Sequence, residues 1–212
     1  MGSTITDVSL FTAVHEYCKK MIARNSDDFK HVKIINIGGG LAVDYSQEGQ
    51  TPSPSALSEA VRGETDYQIM VEPGRSLVAT AGILLCRVLG TKSTGDNNFA
   101  IIDGSMTELL RPPLYSAYHR VLPCRLAEGE HRQYAVVGPV CESADCLATA
   151  VTLPTLLTGD LIAIMDTGAY GSCMASNYNM RARPAEILVH RDSIITMAER
   201  ENFEQILLRF KL

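Results

Sequence analysis

The chain has 212 residues, of which 46% are hydrophobic, so it can bury a substantial core as one large domain or as two small ones. A net charge of −5, the absence of tryptophan and 6% aromatic residues argue against nucleic-acid binding, which needs a basic stripe and stacking surfaces. Because aliphatic stretches fall far short of the roughly 20 residues that cross a bilayer, and the first residues lack an export pattern, we expect a cytoplasmic protein without a membrane partner.

Cysteine usage indicates reduced thiols rather than a disulfide framework. The spacing contains no paired C-x-x-C with histidines of the kind that a structural zinc site needs, and we therefore predict no metal site. Most of the cysteines lie in apolar segments, where a cysteine behaves as a small hydrophobe. The six are Cys18, Cys86, Cys124, Cys141, Cys146 and Cys173.

The first part of the chain alternates helices and strands. Residues 9–24 carry apolar side chains at helical spacing, and residues 32–37 form an apolar run that is typical of a strand buried on both faces of a parallel sheet. Ser53 as N-cap and Pro54 at the first helical position open a second helix, which Gly63 closes. Residues 68–71 predict another strand and residues 76–81 a short helix.

This alternation predicts an α/β plus β fold. A complete eight-unit barrel needs roughly 250 residues, so residues 1–82 form at most three βα units of a partial (β/α) barrel whose open edges need a cover. After residue 82 the alternation of helices and strands ends, and the pattern of residues 83–212 predicts a mostly antiparallel β domain with a closing helix at residues 200–210. Its predicted strands are residues 83–91, 98–103, 134–140, 161–166 and 186–189.

Three consecutive glycines, Gly38, Gly39 and Gly40, follow the first strand. Because they carry no side chains and tolerate positive φ, successive backbone N–H groups can converge on an anion, and the run predicts a phosphate-binding nest. A flexible strand-to-helix turn is the alternative interpretation. A dinucleotide fingerprint is disfavoured, since the G-x-G-x-x-G spacing is missing.

A second motif, Glu72, Pro73, Gly74 and Arg75, ends the next strand. If both strands run parallel in one sheet, this motif and the glycines share the carboxyl-terminal rim, where barrel enzymes keep their chemistry. A glutamate buried there could hold a pyridine nitrogen protonated, and an arginine could bind phosphate or carboxylate with its planar fork. A local ion pair between Glu72 and Arg75 is the alternative.

Taken in order, the motifs resemble the fold-type III pyridoxal-phosphate decarboxylases, and among these most closely the diaminopimelate decarboxylases. The resemblance spans nearly the whole chain. It rests on the glycine run, the Glu-Pro-Gly-Arg motif, Arg-Pro-Pro-Leu-Tyr at residues 111–115, Cys-Glu-Ser at 141–143, Gly-Ala-Tyr-Gly at 168–171, Ser-Asn-Tyr-Asn at 176–179 and Arg-Pro-Ala-Glu at 183–186.

The resemblance implies roles for individual residues. Those that match positions around the cofactor pyridoxal 5'-phosphate are Ser3, Gly38, Gly39, Gly40, Glu72, Gly74, Arg75 and Tyr170. Those that match positions around the amino-acid substrate are Arg75, Arg111, Tyr115, Glu142 and Tyr170. As catalytic residues, Glu72 matches the carboxylate that faces the pyridine nitrogen, and Cys141 matches a thiol that reaches into the partner's site of a homodimer.

The implied activity is conversion of meso-diaminopimelate to L-lysine and CO2 in a homodimer with shared active sites. Two alternatives stay open: a decarboxylase of arginine, ornithine or carboxynorspermidine, and a non-catalytic pseudoenzyme or regulatory dimerisation module. Taken singly, Arg111 reads as a solvated turn residue, Tyr115 as a core aromatic and Cys141 as inert packing, and their joint order favours the functional interpretation.

The sequence departs from the family at the lysine that carries the cofactor as a Schiff base. In the family this lysine lies on an early barrel strand, and the chain begins after the matching position, so we expect this chain alone to be inactive without a separate amino-terminal half. No lysine of the sequence lies in a comparable context. The six are Lys19, Lys20, Lys30, Lys33, Lys92 and Lys211.

Overall fold

The computed structural model describes residues 2–63, 66–125 and 129–210. They form two compact units that divide between Thr80 and Ala81, whereas the sequence placed a boundary after residue 82. Each unit contains its own cluster of buried hydrophobic side chains. None of the helices in the described part of the chain combines the length and apolar composition that a membrane-spanning helix needs.

The first unit contains two parallel strands and the helices that flank them. The predicted parallel pairing is confirmed, with Ile34 opposite Gln68 and Asn36 opposite Met70. A short helix after the first was not predicted, because only an Asn and two acidic residues mark it. The elements are helix α1 (Ser9–Arg24), helix α2 (Ser26–Phe29), strand β1 (Ile34–Asn36), helix α3 (Pro54–Val61), strand β2 (Gln68–Met70), helix α4 (Arg75–Val78) and a 3-10 turn (Ala79–Ala81).

Only one face of this strand pair is buried. Ile35 and Ile37 pack with Phe11 of α1 and other helical side chains, because alternate residues of a strand point to the same face. On the opposite face, Ile34 is 46% exposed and Met70 is 42% exposed. The prediction of a strand buried on both faces is therefore wrong for the described residues, since the helices cover one face only.

The start of α3 shows how the sequence fixes a boundary. Ser53 is extended, and its hydroxyl oxygen accepts a hydrogen bond from the Ala56 N–H at 3.1 Å, while Pro54 occupies the first turn as predicted. The cap satisfies one of the N–H groups that the helix leaves without an internal partner.

Ser53→Ala is expected to lower the free energy of unfolding of the first unit by about 1 kcal/mol, because the Ala56 N–H loses its acceptor. Urea titration followed by circular dichroism measures the change. Ser55→Ala, an exposed position inside the same helix, is the matched control and should change stability by less than about 0.5 kcal/mol. Equal midpoints for the two variants would contradict a capping role.

The second unit is built on a six-stranded mixed sheet. The elements are strands β3 (Leu84–Thr94) and β4 (Asn97–Ile102), helix α5 (Arg111–Tyr115), and strands β5 (Val121–Pro123), β6 (His131–Val137), β7 (Cys146–Pro154) and β8 (Leu161–Ile164). The strand order in the sheet is β5-β8-β3-β4-β6-β7, and every neighbouring pair is antiparallel except β4 with β6, so the mostly antiparallel prediction is confirmed.

A separate hairpin and a short helix follow this sheet. Strands β9 (Glu186–His190) and β10 (Ser193–Ala198) pair with each other, and every residue of both is exposed among the described residues. Helix α6 (Phe203–Leu207) is shorter than the predicted closing helix because the capping box of Asn202 and Gln205 sets its start. An isolated two-stranded hairpin is marginally stable in water, so both of its faces call for a cover.

The cysteines divide between the core and the surface. Burial raises the pKa of the Cys86 thiol to about 12, so this side chain is a protonated core residue. Cys124, Cys141 and Cys173 are exposed, which corrects the prediction that most of the cysteines pack in apolar surroundings. Cys124 directly follows strand β5, Cys141 lies on the loop after β6 and Cys173 lies in a 3-10 helix (Ser172–Met174).

Candidate functional site

The three glycines after β1 adopt a backbone that other residues would strain. Gly38 has φ +75° and Gly40 has φ +105°, both in the region that glycine occupies at little cost. At Gly39 the limit is space, since a Cβ atom would lie 2.1 Å from the carbonyl oxygen of Glu72. The run is therefore required by local conformation at two positions and by a close backbone approach at the third.

Glu72 is joined to the glycines by a small hydrogen-bond network. Its backbone N–H donates to the Gly38 carbonyl at 2.9 Å. The Asn36 side-chain amide donates to the Glu72 carboxylate at 2.6 Å, and its oxygen accepts from the Gly38 N–H at 2.8 Å. The structure thus brings together the two strand-end motifs, and Asn36, which the sequence analysis missed, is the side chain that links them.

The glycine run retains donors for an anion. Among the described residues, the N–H groups of Gly39 and Gly40 have no hydrogen-bond acceptor, and consecutive N–H groups in such a turn form an anion-binding concavity. Ser3 lies beside this turn, because Ile5 pairs in parallel with Leu41 and donates to the Gly40 carbonyl at 2.8 Å. The turn therefore suits a phosphate group and has a serine within its surroundings.

The rest of the second motif continues into α4. Gly74 is the N-cap of this helix and Arg75, half-buried, is its first residue. Glu72 is exposed rather than buried, because it lies on the same uncovered face as Asn36 and Met70. The carboxylate is thus placed by hydrogen bonds and not by enclosure.

In the second unit Arg111 is a buried side chain. It opens α5 and is 4% exposed, and its Nη1 donates to Nε2 of His119 at 2.7 Å, so the alternative of a solvated turn residue is wrong. Tyr115 ends the same short helix and is exposed, which also rules out a core aromatic at that position. The two predicted substrate residues share one helical turn and differ in burial.

Cys141 and Glu142 lie on an exposed loop between β6 and β7 that a buried aspartate organises. The Asp145 carboxylate accepts hydrogen bonds from the N–H groups of Met106 at 2.7 Å and Val140 at 2.9 Å. Gly138 allows this approach, since a Cβ there would lie 2.3 Å from the carboxylate. Asp145 was missed because its partner at Met106 is 39 residues away.

Asp145→Asn is expected to destabilise the second unit by about 2 kcal/mol, because a neutral amide offers one acceptor oxygen where the carboxylate offers two. Guanidinium titration of the purified variant measures the loss. The exposed Asp192→Asn in the turn between β9 and β10 serves as the control and should stay within about 0.5 kcal/mol of the parent. A stability loss in neither variant would show that the Asp145 contacts are dispensable.

Two tyrosines complete the predicted residues of this unit. The Tyr178 hydroxyl lies 3.5 Å from Oε2 of Glu142 and can donate to it. Tyr170 is exposed and adopts φ +59° in a segment whose Gly168 packs against Gly82 so closely that a Cβ at Gly82 would lie 2.6 Å from its backbone. The backbone around Tyr170 is therefore defined by close contacts, whereas its ring is accessible.

The fold matches a known class of enzyme. The family model described as "Pyridoxal-dependent decarboxylase, C-terminal sheet domain" matches residues 8–168, and the chain therefore belongs to the pyridoxal-dependent decarboxylases. This confirms the class that the ordered motifs predict.

Individual relatives that are similar to this chain are named diaminopimelate decarboxylases. Those of Aquifex aeolicus and Archaeoglobus fulgidus are 35% and 38% identical to this chain, over 97% and 100% of its length. The crystal structure of diaminopimelate decarboxylase from M. jannaschii in complex with L-lysine has a TM-score of 0.94 at 32% identity and covers 100% of this chain. The chain spans about half of the relatives it matches, 50%, 52% and 50% of their lengths respectively.

The family's cofactor, pyridoxal phosphate, fits the first unit in part. The cofactor carries a phosphate and a pyridine nitrogen, and the unit offers the N–H groups of Gly39 and Gly40 next to the carboxylate of Glu72. A lysine for its aldehyde is missing from the described residues at the carboxyl ends of β1 and β2, and Lys211 lies outside them. The described residues thus offer donors that suit a phosphate and a carboxylate that suits a pyridine nitrogen, and they place no lysine at these two strand ends.

Proposed function

We propose that this chain is the C-terminal half of an enzyme that decarboxylates meso-diaminopimelate to L-lysine and that it works only when an amino-terminal half supplies the lysine. The observation that carries the proposal is the linkage of Glu72 to the glycine run through Asn36. Relatives named diaminopimelate decarboxylase align over nearly the whole chain, which supports the choice of substrate.

In this proposal the first unit holds the cofactor. When bound, pyridoxal phosphate supplies an electron sink for the carbanion that remains after loss of CO2. The N–H groups of Gly39 and Gly40 would bind its phosphate, with Ser3 and Gly74 nearby in the motif, and the Glu72 carboxylate would accept a hydrogen bond from the pyridine N–H. Because a charge-assisted hydrogen bond favours the protonated ring, Glu72 would keep the ring cationic.

The second unit would recognise the substrate. The distal end of diaminopimelate, which the reaction leaves unchanged, carries a carboxylate that the guanidinium of Arg111 can bind with two parallel hydrogen bonds, and Tyr115 and Tyr170 carry hydroxyls for the same group. Glu142 would accept from the distal amine, with the Tyr178 hydroxyl at 3.5 Å holding its carboxylate. Arg75 is assigned to phosphate or substrate carboxylate.

The remaining assignments concern assembly. Cys141 is exposed on its loop, which suits a thiol that acts across a homodimer interface, and the enzyme would be cytoplasmic. The exposed faces of β1, β2 and the hairpin support the need for further polypeptide, because they leave large apolar side chains in water. These include Ile34, Met70, Ile187, Val189, Ile194 and Met197.

Co-expression with the amino-terminal half of the A. aeolicus relative tests the proposal. The purified complex should release CO2 from meso-diaminopimelate and not from ornithine or arginine, whereas the 212-residue chain alone should release none. Preference for ornithine would favour the alternative decarboxylase. A complex that binds cofactor and leaves every substrate unchanged would favour the non-catalytic alternative.

A further inference from the structure

A buried histidine that the proposed mechanism does not use lies behind the substrate arginine. His119 is 1% exposed and lies two residues before Val121, the first residue of β5. Its Nε2 lies 2.7 Å from Nη1 of Arg111, and its Nδ1 lies 2.8 Å from the carbonyl oxygen of Met165. One imidazole ring therefore joins helix α5 to the residue that follows β8.

These two contacts determine the state of the ring. A guanidinium can only donate, so Nε2 of His119 has to accept and cannot carry a proton. A carbonyl oxygen can only accept, so Nδ1 has to carry the proton and donate to Met165. His119 is thus the neutral Nδ1–H tautomer, and its ring is oriented from both sides.

The fixed orientation of the His119 ring in turn restricts the side chain of Arg111. A guanidinium carries several N–H donors in a rigid plane, so fixing Nη1 against a ring that is itself fixed restricts the rotation of the whole fork. A two-point contact between a guanidinium and a carboxylate depends on that plane. Without the histidine, a long side chain would have to give up rotamer freedom each time that it binds an anion.

The same ring also ties Arg111 to a second predicted substrate residue. Met165 begins the segment that leads to Tyr170, and its backbone N–H is held by the Arg120 carbonyl at 2.8 Å. His119 therefore links the Arg111 side chain to the backbone of the segment that leads to Tyr170, which limits how far Arg111 and that segment can move apart.

We propose that His119 is the positioning residue that presents Arg111 to the distal carboxylate of the substrate through the hydrogen bonds Arg111–His119–Met165. The proposal rests on the proposed function, in which Arg111 binds that carboxylate. It makes His119 a determinant of substrate specificity that contacts no substrate atom, and it assigns the ring no proton transfer.

Two variants of the co-expressed enzyme distinguish the hydrogen bond from Arg111 to Nε2 of His119 from the hydrogen bond from its Nδ1 to Met165. His119→Gln places an amide near the position of Nε2 and can still accept from Arg111, whereas His119→Asn reaches only the position of Nδ1 and loses the arginine. We expect His119→Asn to raise KM for meso-diaminopimelate about tenfold, the equivalent of one lost hydrogen bond, with kcat within about twofold. His119→Gln should stay closer to the parent.

Cadaverine, the decarboxylated form of lysine, provides a readout that a purely structural role would not spare. It lacks the distal carboxylate, which L-lysine keeps because the reaction removes the other one, so the inhibition constant of cadaverine should be the same in the parent and in His119→Asn while that of L-lysine rises. An equal loss for cadaverine and diaminopimelate, or parental kinetics in His119→Asn, would overturn the proposal.

Nitrogen NMR of the 212-residue chain tests the bridge without activity. The His119 ring, assigned by its loss in His119→Asn, should show a protonated Nδ1 and an unprotonated Nε2 at neutral pH, and Arg111→Met should shift the Nε2 signal. A protonated Nε2 would contradict the bridge. If the tautomer is as expected and the parent complex does not decarboxylate diaminopimelate, the proposed function fails and the role of His119 in it fails too, while the contact stands.

Discussion

Gly39→Ala is expected to disrupt the junction between the glycine run and Glu72 and to lower the free energy of unfolding of the first unit by about 3 kcal/mol. The added Cβ would lie 2.1 Å from the Glu72 carbonyl oxygen, and that atom belongs to backbone, which cannot rotate away as a side chain would. Relief requires β1 and β2 to separate at their ends, which also breaks the bond from the Glu72 N–H to the Gly38 carbonyl.

Urea titration of the purified chain measures this loss, and Gly63→Ala is the matched control. At Gly63 a Cβ would meet no atom within 4 Å, so this variant should stay within about 0.5 kcal/mol of the parent. If Gly39→Ala were as stable as Gly63→Ala, the close approach of the two motifs would be wrong.

Glu72→Ala is expected to lower kcat of the co-expressed enzyme by about 100-fold. The proposed bond between this carboxylate and the protonated pyridine ring is charge-assisted, and its loss costs about 3 kcal/mol of transition-state stabilisation. KM for diaminopimelate should change little, because Glu72 is assigned to the ring and not to the substrate. Steady-state kinetics on meso-diaminopimelate measures both constants.

Glu59→Gln on the exposed face of α3 is the control, and it should retain parental kinetics because it changes an exposed carboxylate that belongs to neither motif. Glu72→Gln should fall near Glu72→Ala, since a neutral amide does not hold the ring cationic. A kcat within about threefold of the parent in both Glu72 variants would exclude the assigned role.

The elements that the sequence predicted are those with strong local signals. Helix α3 begins at Ser53 and Pro54 as the cap pattern requires, and β1 and β2 pair in parallel as the alternation of elements requires. Strands β5, β7 and β10 were missed. Strand β5 is short and its partner β8 lies far along the chain, whereas β7 and β10 pair with the strands that precede them and were missed because their own patterns are mixed. The exposed second face of β1 was unpredictable because burial depends on which other elements are present.

The residues of the candidate site also divide into those with a local sequence signal, which were predicted, and those without one, which were not. The glycine run and Glu72 were predicted because both sit at strand ends. Three polar side chains were not predicted, because their hydrogen-bond partners lie far along the chain: Asn36 bonds to Glu72 in the first unit, and Asp145 to Met106 and His119 to Met165 in the second. For Asn36 a signal existed, since it is a polar residue inside an apolar strand two positions before Gly38. For His119 and Asp145 the sequence holds no local pattern that marks a buried partner.

Titration of the isolated chain with pyridoxamine 5'-phosphate tests most directly whether the glycine run and Glu72 hold one phosphorylated pyridine ring. This compound needs no lysine, so the missing anchor does not interfere. In nitrogen-edited NMR at millimolar ligand, the amide signals of Gly39 and Gly40 and the Asn36 side-chain amide should shift together, and Glu72→Ala should weaken the response. Shifts confined to other residues, or an unchanged response in Glu72→Ala, would contradict the site.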